Sequence, residues 1–386
     1  MSAAPPAPPP PGTDALARAR LLVPVLAARE QAATAARDVP TETIDDFRRA
    51  GILRLLQPRR FGGEQASVGV FLRIVDILAE GCASSAWVYG VLAELEWVIA
   101  CLPEQGQIDI WGDDPEALSV GSIAPRASGR RAQGGWRVSG RYPFASGCRH
   151  ARWAILGARC KDVAGNEVPR YLFVPMHDLE IVDDWHTLGM RGTGSFSVAA
   201  HDVFVPEHRT LTIQDAMAGT PPGRLVHPDY ALLRAPRYFI VPFVLPAAAF
   251  GAARRALALA PAALRGSTRT SSDALHLRLG EAAAQIDAAN LIFATRRAET
   301  VELMESGAPV PGSAVLRNRR DVALAFRLLR SGVEQLVTLC GAGTVYDDSP
   351  LQSVLRDITT IATHIVVNEE AGMVPYGRFM MVENMA

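Results

Sequence analysis

The spacing of apolar residues changes twice along this chain. Residues 14–37 are alanine-rich, with apolar positions at helical intervals, and residues 41–50 carry a capping residue and early acids before stopping at Gly51. Residues 83–101 read as a further, largely apolar helix with Ser84 or Ser85 as its cap. From about residue 118 the period shortens, and 134–142, 152–160, 170–175, 180–184 and 196–205 predict short strands between turn residues. After the break at Pro221, Pro222 and Gly223, long amphipathic patterns return at 247–264, 272–304, 313–341 and 350–373, enough for a four-helix bundle. The pattern predicts an α+β protein with an N-terminal helical domain (14–116), a middle β domain (117–225) and a C-terminal helical bundle (226–386). A proline-rich tail, 1–13, is expected to precede them as disordered chain.

Composition narrows the function. The 386 residues are 49% hydrophobic, which supports several substantial cores, and a formal charge of -1 offers no bulk attraction to nucleic acid or to an anionic membrane. The apolar run 238–256 is interrupted by Pro242, Pro246 and Gly251, which argues against a membrane span. Five cysteines, odd in number and widely spaced, fit neither a disulfide framework nor a zinc site, so a reducing cytoplasmic setting is expected and no metal. No GxGxxG follows a strand, and no HExxH, GxSxG or phosphate-loop pattern occurs.

The chemistry concentrates in a few segments. Residues 144–148, FASGC, end a strand in a small turn where Gly147 admits positive φ and Ser146 offers one donor and two acceptor lone pairs to a ring heteroatom. Gly121 and Ser122 lie in a second small-residue stretch, VGSIAP, and residues 185–195 read WHTLGMRGTGS. Gly341 and Gly343 form a glycine turn after the third long helix, able to receive a diphosphate through backbone N–H groups or simply to connect two helices. Thr360, His364 and Asn368 fall at i, i+4 and i+8, a polar stripe on an otherwise apolar helix that either serves a ligand or satisfies its neighbours.

Taken together, FASGC, LGMRGTGS, the DVFVP strand and GAGTVYDDSPLQ followed by Arg356, Asp357 and His364 resemble the acyl-CoA dehydrogenase superfamily, in its two-component flavin-dependent monooxygenase branch. The resemblance covers nearly all of the chain after the tail. It implies a homotetramer that takes reduced flavin, FMN or FAD, from a separate reductase and uses O2 to oxygenate a small organic substrate through a flavin hydroperoxide. It puts Ser146 at the flavin N5 edge and His364 beside the peroxide as the catalytic pair. Flavin binding would fall to Gly121, Ser122, Ser146, Gly147, Arg317, Gly341 and Gly343, and substrate contact to Trp87, Leu95 and Trp185.

Two departures matter. Thr363, His364 and Ile365 stand where acyl-CoA dehydrogenases of the short- and medium-chain type carry a catalytic glutamate. Leu95 stands where phenol-hydroxylating relatives carry a histidine that orients or deprotonates the substrate. The alternatives are an acyl-CoA dehydrogenase or oxidase whose base is displaced to Glu369 or Glu370, and a catalytically silent flavin-binding or assembly subunit.

Overall fold

The computed structural model describes residues 13–162, 165–265 and 272–383. The tail expected at 1–13 lies outside these, apart from Thr13, which opens the first helix. The N-terminal part consists of α1 (Thr13–Ala36), α2 (Thr41–Arg49), α3 (Val68–Leu78), α4 (Ala83–Ala100) and α5 (Glu104–Trp111). α4 is buried on nearly every side because it runs through the middle of the molecule, and its sequence is correspondingly apolar all round. Its N-cap is Cys82, without a side-chain hydrogen bond. The expected caps, Ser84 and Ser85, instead lie buried in the first turn.

The middle part is a single sheet of β1 (Ser119–Ala132), β2 (Gly135–Tyr142), β3 (Trp153–Cys160), β4 (Arg170–Pro175), β5 (Leu179–Val182), β6 (Ser197–Pro206) and β7 (Thr210–Thr212), in the order β5-β6-β2-β1-β3-β4-β7. β1 and β3 are parallel and the other pairs antiparallel. The sequence pattern located β2 to β6 and missed β1 and β7, as it missed α3 and α5. β1 escapes detection because its register with β3 slips between Ser122 and Ala127. There the chain crosses Gly157 so closely that a Cβ on that glycine would lie 2.1 Å from the Ile123 carbonyl oxygen.

Three short helices, α6 (Ile213–Ala218), α7 (Gly223–Val226) and α8 (Arg237–Ile240), lead into the long helices α9 (Ala247–Leu264), α10 (Asp273–Glu305) and α11 (Gly312–Cys340). The stretch from Arg237 to Leu264 has the length and composition of a membrane span, but two thirds of it is buried inside the protein as core. The expected fourth helix, 350–373, is in fact two: α12 (Pro350–Ile361) and α13 (Glu369–Glu383), separated by a turn and a 3-10 segment, Ile365–Val367. The polar stripe therefore does not exist as a helix face, and His364 sits in the break as the N-cap of the 3-10 segment.

Candidate active site

Packing of α4 against the sheet builds the site. Val88 and Leu92 meet the strand-end turn, where a Cβ on Gly147 would lie 2.9 Å from Val88 Cγ1, and one turn on Leu95 packs against Gly121. Gly147 has φ +75°, so the turn needs glycine for its conformation as well as for that close approach. Trp87, on the same side of α4, directs its indole N–H to Ser146 Oγ at 3.2 Å. Its ring meets the edge of the His364 imidazole at a centroid distance of 5.7 Å. Trp87, Ser146 and His364 thus come together from the helical part, the sheet and the C-terminal break.

The turn is fixed from behind. Gly147 N–H donates to the Thr193 carbonyl at 2.9 Å, Ala145 N–H donates to the Phe196 carbonyl at 3.1 Å, and Ser122 Oγ donates to the Pro143 carbonyl at 2.6 Å. Ser146 Oγ lies 2.7 Å from Ser195 Oγ, which lies 2.6 Å from Thr193 Oγ1, which donates to the Met190 carbonyl at 2.8 Å. Met190, itself at φ +53°, is held by Asp357, whose carboxylate accepts the Met190 N–H at 2.5 Å. Burial, with Glu30 nearby, pushes the Asp357 carboxyl up to about 7. Gly189 permits this junction, since a Cβ there would lie 2.1 Å from the Arg356 carbonyl oxygen.

His364 does not alternate between charged and neutral forms around neutral pH. Burial lowers its pKa to about 4. Its Nδ1 accepts the Val366 N–H at 3.3 Å, so the neutral ring carries its proton on Nε2. That N–H has no protein partner among the described residues.

Leu95 is buried between two acids that are buried as well. Glu94 is locked into a buried ion pair with Arg237 at 2.6 Å. Burial raises the Glu96 carboxyl well above the usual carboxylate range. Trp185 is a wall at one remove: its N–H bonds to the carbonyls of Met190 and Arg191, and its ring stands edge-on to Phe144, 6.1 Å away. Phe144 has φ +66° and is 58% exposed, an apolar ring held at the mouth of the turn.

The remaining expected residues do not join this cluster within the chain. Arg317 is exposed and pairs with Glu299 at 3.4 Å. Gly341 and Gly343 lie in the turn after α11, beside exposed Val345 and Tyr346. Among the described residues nothing comes within 4 Å of a Cβ placed on Gly343. The displaced bases of the dehydrogenase alternative fail on position: Glu369 is exposed and paired with Arg327 at 2.8 Å, and Glu370 is exposed on the same helix start. The sequence placed residues 188–195 in a segment resembling flavin-contacting parts without singling out Thr193 or Ser195, and gave Asp357 no role of its own. The hydroxyls after each glycine of the GTGS run were the available signal for the first two.

The buried Ser146 hydroxyl, the Trp87 indole, the His364 Nε2–H and the exposed Phe144 ring are thus gathered around the strand-end turn. The fold around them is that of the acyl-CoA dehydrogenase type. Residues 243–369 match the family model for the acyl-CoA dehydrogenase C-terminal domain. The whole chain is similar to the oxygenase component of an FADH(2)-dependent resorcinol hydroxylase from Rhizobium sp. (strain MTP-10005), with 33% identity over 365 residues, 90% of this chain and 88% of the relative. The crystal structure of 3-HSA hydroxylase from Rhodococcus sp. RHA1 superposes with a TM-score of 0.90 at 31% identity, covering 95% of this chain and 96% of that one. That of XiaF from Streptomyces sp. in complex with FADH2 and glycerol gives 0.85 at 28% identity, covering 95% and 94%. The chain belongs to the acyl-CoA dehydrogenase superfamily as the oxygenase component of a two-component flavin-dependent monooxygenase. It is an oxidoreductase that depends on reduced flavin from a separate reductase.

Proposed function

We propose that Ser146, Trp87 and His364 line the reaction chamber, with reduced FAD laid against Ser146 and a small, uncharged, electron-rich substrate held between Trp87 and Leu95. The observation that carries the reading is the convergence of these three side chains: Trp87 Nε1 on Ser146 Oγ at 3.2 Å and the Trp87 and His364 rings 5.7 Å apart. Bound reduced flavin supplies the two electrons that let O2 deliver one oxygen atom to the substrate, the other leaving as water.

The chain's own groups do the rest. Gly121 and Gly147 let α4 pack against the turn that presents Ser146, and Ser146 meets the N5 edge of the ring. His364, neutral at working pH, donates from Nε2 to hold an oxygen atom without adding charge. Trp87 and Leu95 exclude water from that volume. Glu94 is paired with Arg237 and burial disfavours the charged form of Glu96, so neither acid beside Leu95 is poised to take a proton, which favours a ring or heteroatom that reacts without losing one first.

FAD is preferred to FMN because the related resorcinol hydroxylase is FADH(2)-dependent and XiaF is seen in complex with FADH2. Exposed Val345 and Tyr346 beside the open Gly341 and Gly343 turn support a homotetramer in which that turn, with Arg317, meets the flavin of a neighbouring copy. Five free thiols support a cytoplasmic setting.

The test is anaerobic titration with photoreduced FAD and FMN, followed by O2 and a panel of neutral aromatic and heteroaromatic compounds, with product read by mass spectrometry. Oxygenated product is expected with reduced flavin, and no flavin reduction by NADH alone. Rapid NADH oxidation without a reductase, or robust acyl-CoA oxidation with an artificial electron acceptor, would refute the reading.

A further inference from the structure

The hydroxyls behind Ser146 form a chain that can run in one direction only. Its contacts are Ser146 Oγ to Ser195 Oγ at 2.7 Å, Ser195 Oγ to Thr193 Oγ1 at 2.6 Å, and Thr193 Oγ1 to the Met190 carbonyl oxygen at 2.8 Å. Two oxygens this close need a hydrogen between them. The three contacts have three hydroxyl hydrogens to share, and the carbonyl brings none. Thr193 must therefore donate to Met190, Ser195 to Thr193, and Ser146 to Ser195. Any reversal would leave two lone pairs facing each other at one of the contacts.

Solvent is not available to rearrange the chain, because Thr193, Ser195 and Ser146 are 1%, 3% and 5% exposed. Its terminus is equally fixed. The Met190 carbonyl also accepts Trp185 Nε1–H at 3.2 Å and the Thr193 N–H at 3.1 Å, while Asp357 holds the Met190 N–H. At the other end Trp87 Nε1, which can only donate, gives its hydrogen to Ser146 Oγ at 3.2 Å. Ser146 has thus committed its own hydrogen and one lone pair. One lone pair is left for a ligand.

We propose that Thr193 and Ser195 are positioning residues that hold Ser146 as an obligate acceptor, so that the site selects reduced flavin, whose N5 carries a hydrogen, over oxidised flavin, whose N5 is a bare acceptor. The proposal rests on the placement of N5 at Ser146 given above. With reduced flavin the remaining lone pair receives N5–H and holds that hydrogen in place. With oxidised flavin two lone pairs face each other, and the buried Ser146 oxygen is left without its partner. A hydrogen bond made in one state and replaced by an unsatisfied contact in the other corresponds to a preference of about ten- to a hundredfold.

The experiment measures the affinity of the full chain for oxidised and photoreduced FAD under anaerobic conditions, together with the midpoint potential of the bound flavin. The wild type is expected to bind reduced FAD the more tightly. Ser195→Ala frees the Ser146 hydrogen to turn toward the ligand, so the preference should fall about tenfold, chiefly by tighter binding of oxidised FAD. For a two-electron couple that lowers the bound potential by about 30 mV. Thr193→Val, which removes the anchor rather than the middle hydroxyl, should shift the ratio the same way, and Thr193→Ser should restore it. Equal weakening of both forms in Ser195→Ala and Thr193→Val, or an unchanged potential, overturns the relay while leaving the proposed function intact if the wild type still oxygenates. A wild type that binds no flavin overturns both readings together.

Discussion

Replacing His364 isolates the contribution of a single hydrogen-bond donor. The imidazole sits at the break between α12 and α13, its Nδ1 occupied by the Val366 N–H at 3.3 Å and its ring edge against Trp87. Since burial lowers its pKa to about 4, at neutral pH it offers one Nε2–H and no charge. A hydrogen bond to a charge-bearing oxygen is worth about 1.5–3 kcal/mol, so His364→Ala should lower the rate of product formation by about ten- to a hundredfold. Because the half-buried side chain caps only a 3-10 turn, the fold should survive. His364→Asn, which keeps an N–H donor, should recover part of the loss. The assay couples the chain to a flavin reductase and follows product and released hydrogen peroxide from pH 5.5 to 8. The wild-type profile should show no histidine inflection near 6.5. An inflection there that disappears in His364→Ala would mean that the ring titrates in the working range, and equal activity of wild type and His364→Ala would remove it from the chemistry. The same shift has a stability consequence: the folded pKa lies below the unfolded value of about 6.5, so the contribution is fully present above that pH and is lost as pH falls toward 4.

Asp357 has the opposite sign: its folded pKa of about 7 lies above the unfolded value of about 3.9, so its contribution is present at low pH and lost as pH rises to 7. Asp357→Asn, which keeps an oxygen for the Met190 N–H, should therefore raise the melting temperature relative to wild type above pH 7, and an unchanged difference between pH 5 and pH 8 would refute the shift. Gly147→Ala should cost about 1–3 kcal/mol in urea unfolding, from positive φ and the 2.9 Å approach to Val88, and should weaken flavin binding; wild-type stability would show that the turn can relax. Leu95→His should add oxygenation of simple phenols to the substrate range, read as product per O2 consumed, whereas Leu95→Ala should cost about 2–5 kcal/mol of stability without that gain. Phenol activity equal to wild type in Leu95→His would show that this position does not face the substrate.

The sequence determined the order of helical, strand-rich and helical segments, because the hydrophobic period reports locally on which face of an element is buried. It also supplied the strand-end FASGC turn, since glycine and a small hydroxyl residue announce close approach by themselves. Long-range packing decided what the period could not. β1 is irregular where it crosses Gly157, α3 and α5 are short, and the break that makes His364 a cap lies within a pattern that stays apolar across it. Chemical state was likewise a tertiary matter. The neutral His364, the raised carboxyl pKa of Glu96 and the pairing of Glu94 with Arg237 follow from desolvation and from partners more than a hundred residues away in the Arg237 case. So does the direction of the Ser146 hydroxyl. Its hydrogen is committed by a chain through Ser195 and Thr193 to the Met190 carbonyl, which exists only because the turn after β2, the loop before β6 and the second half of α12 close around one another.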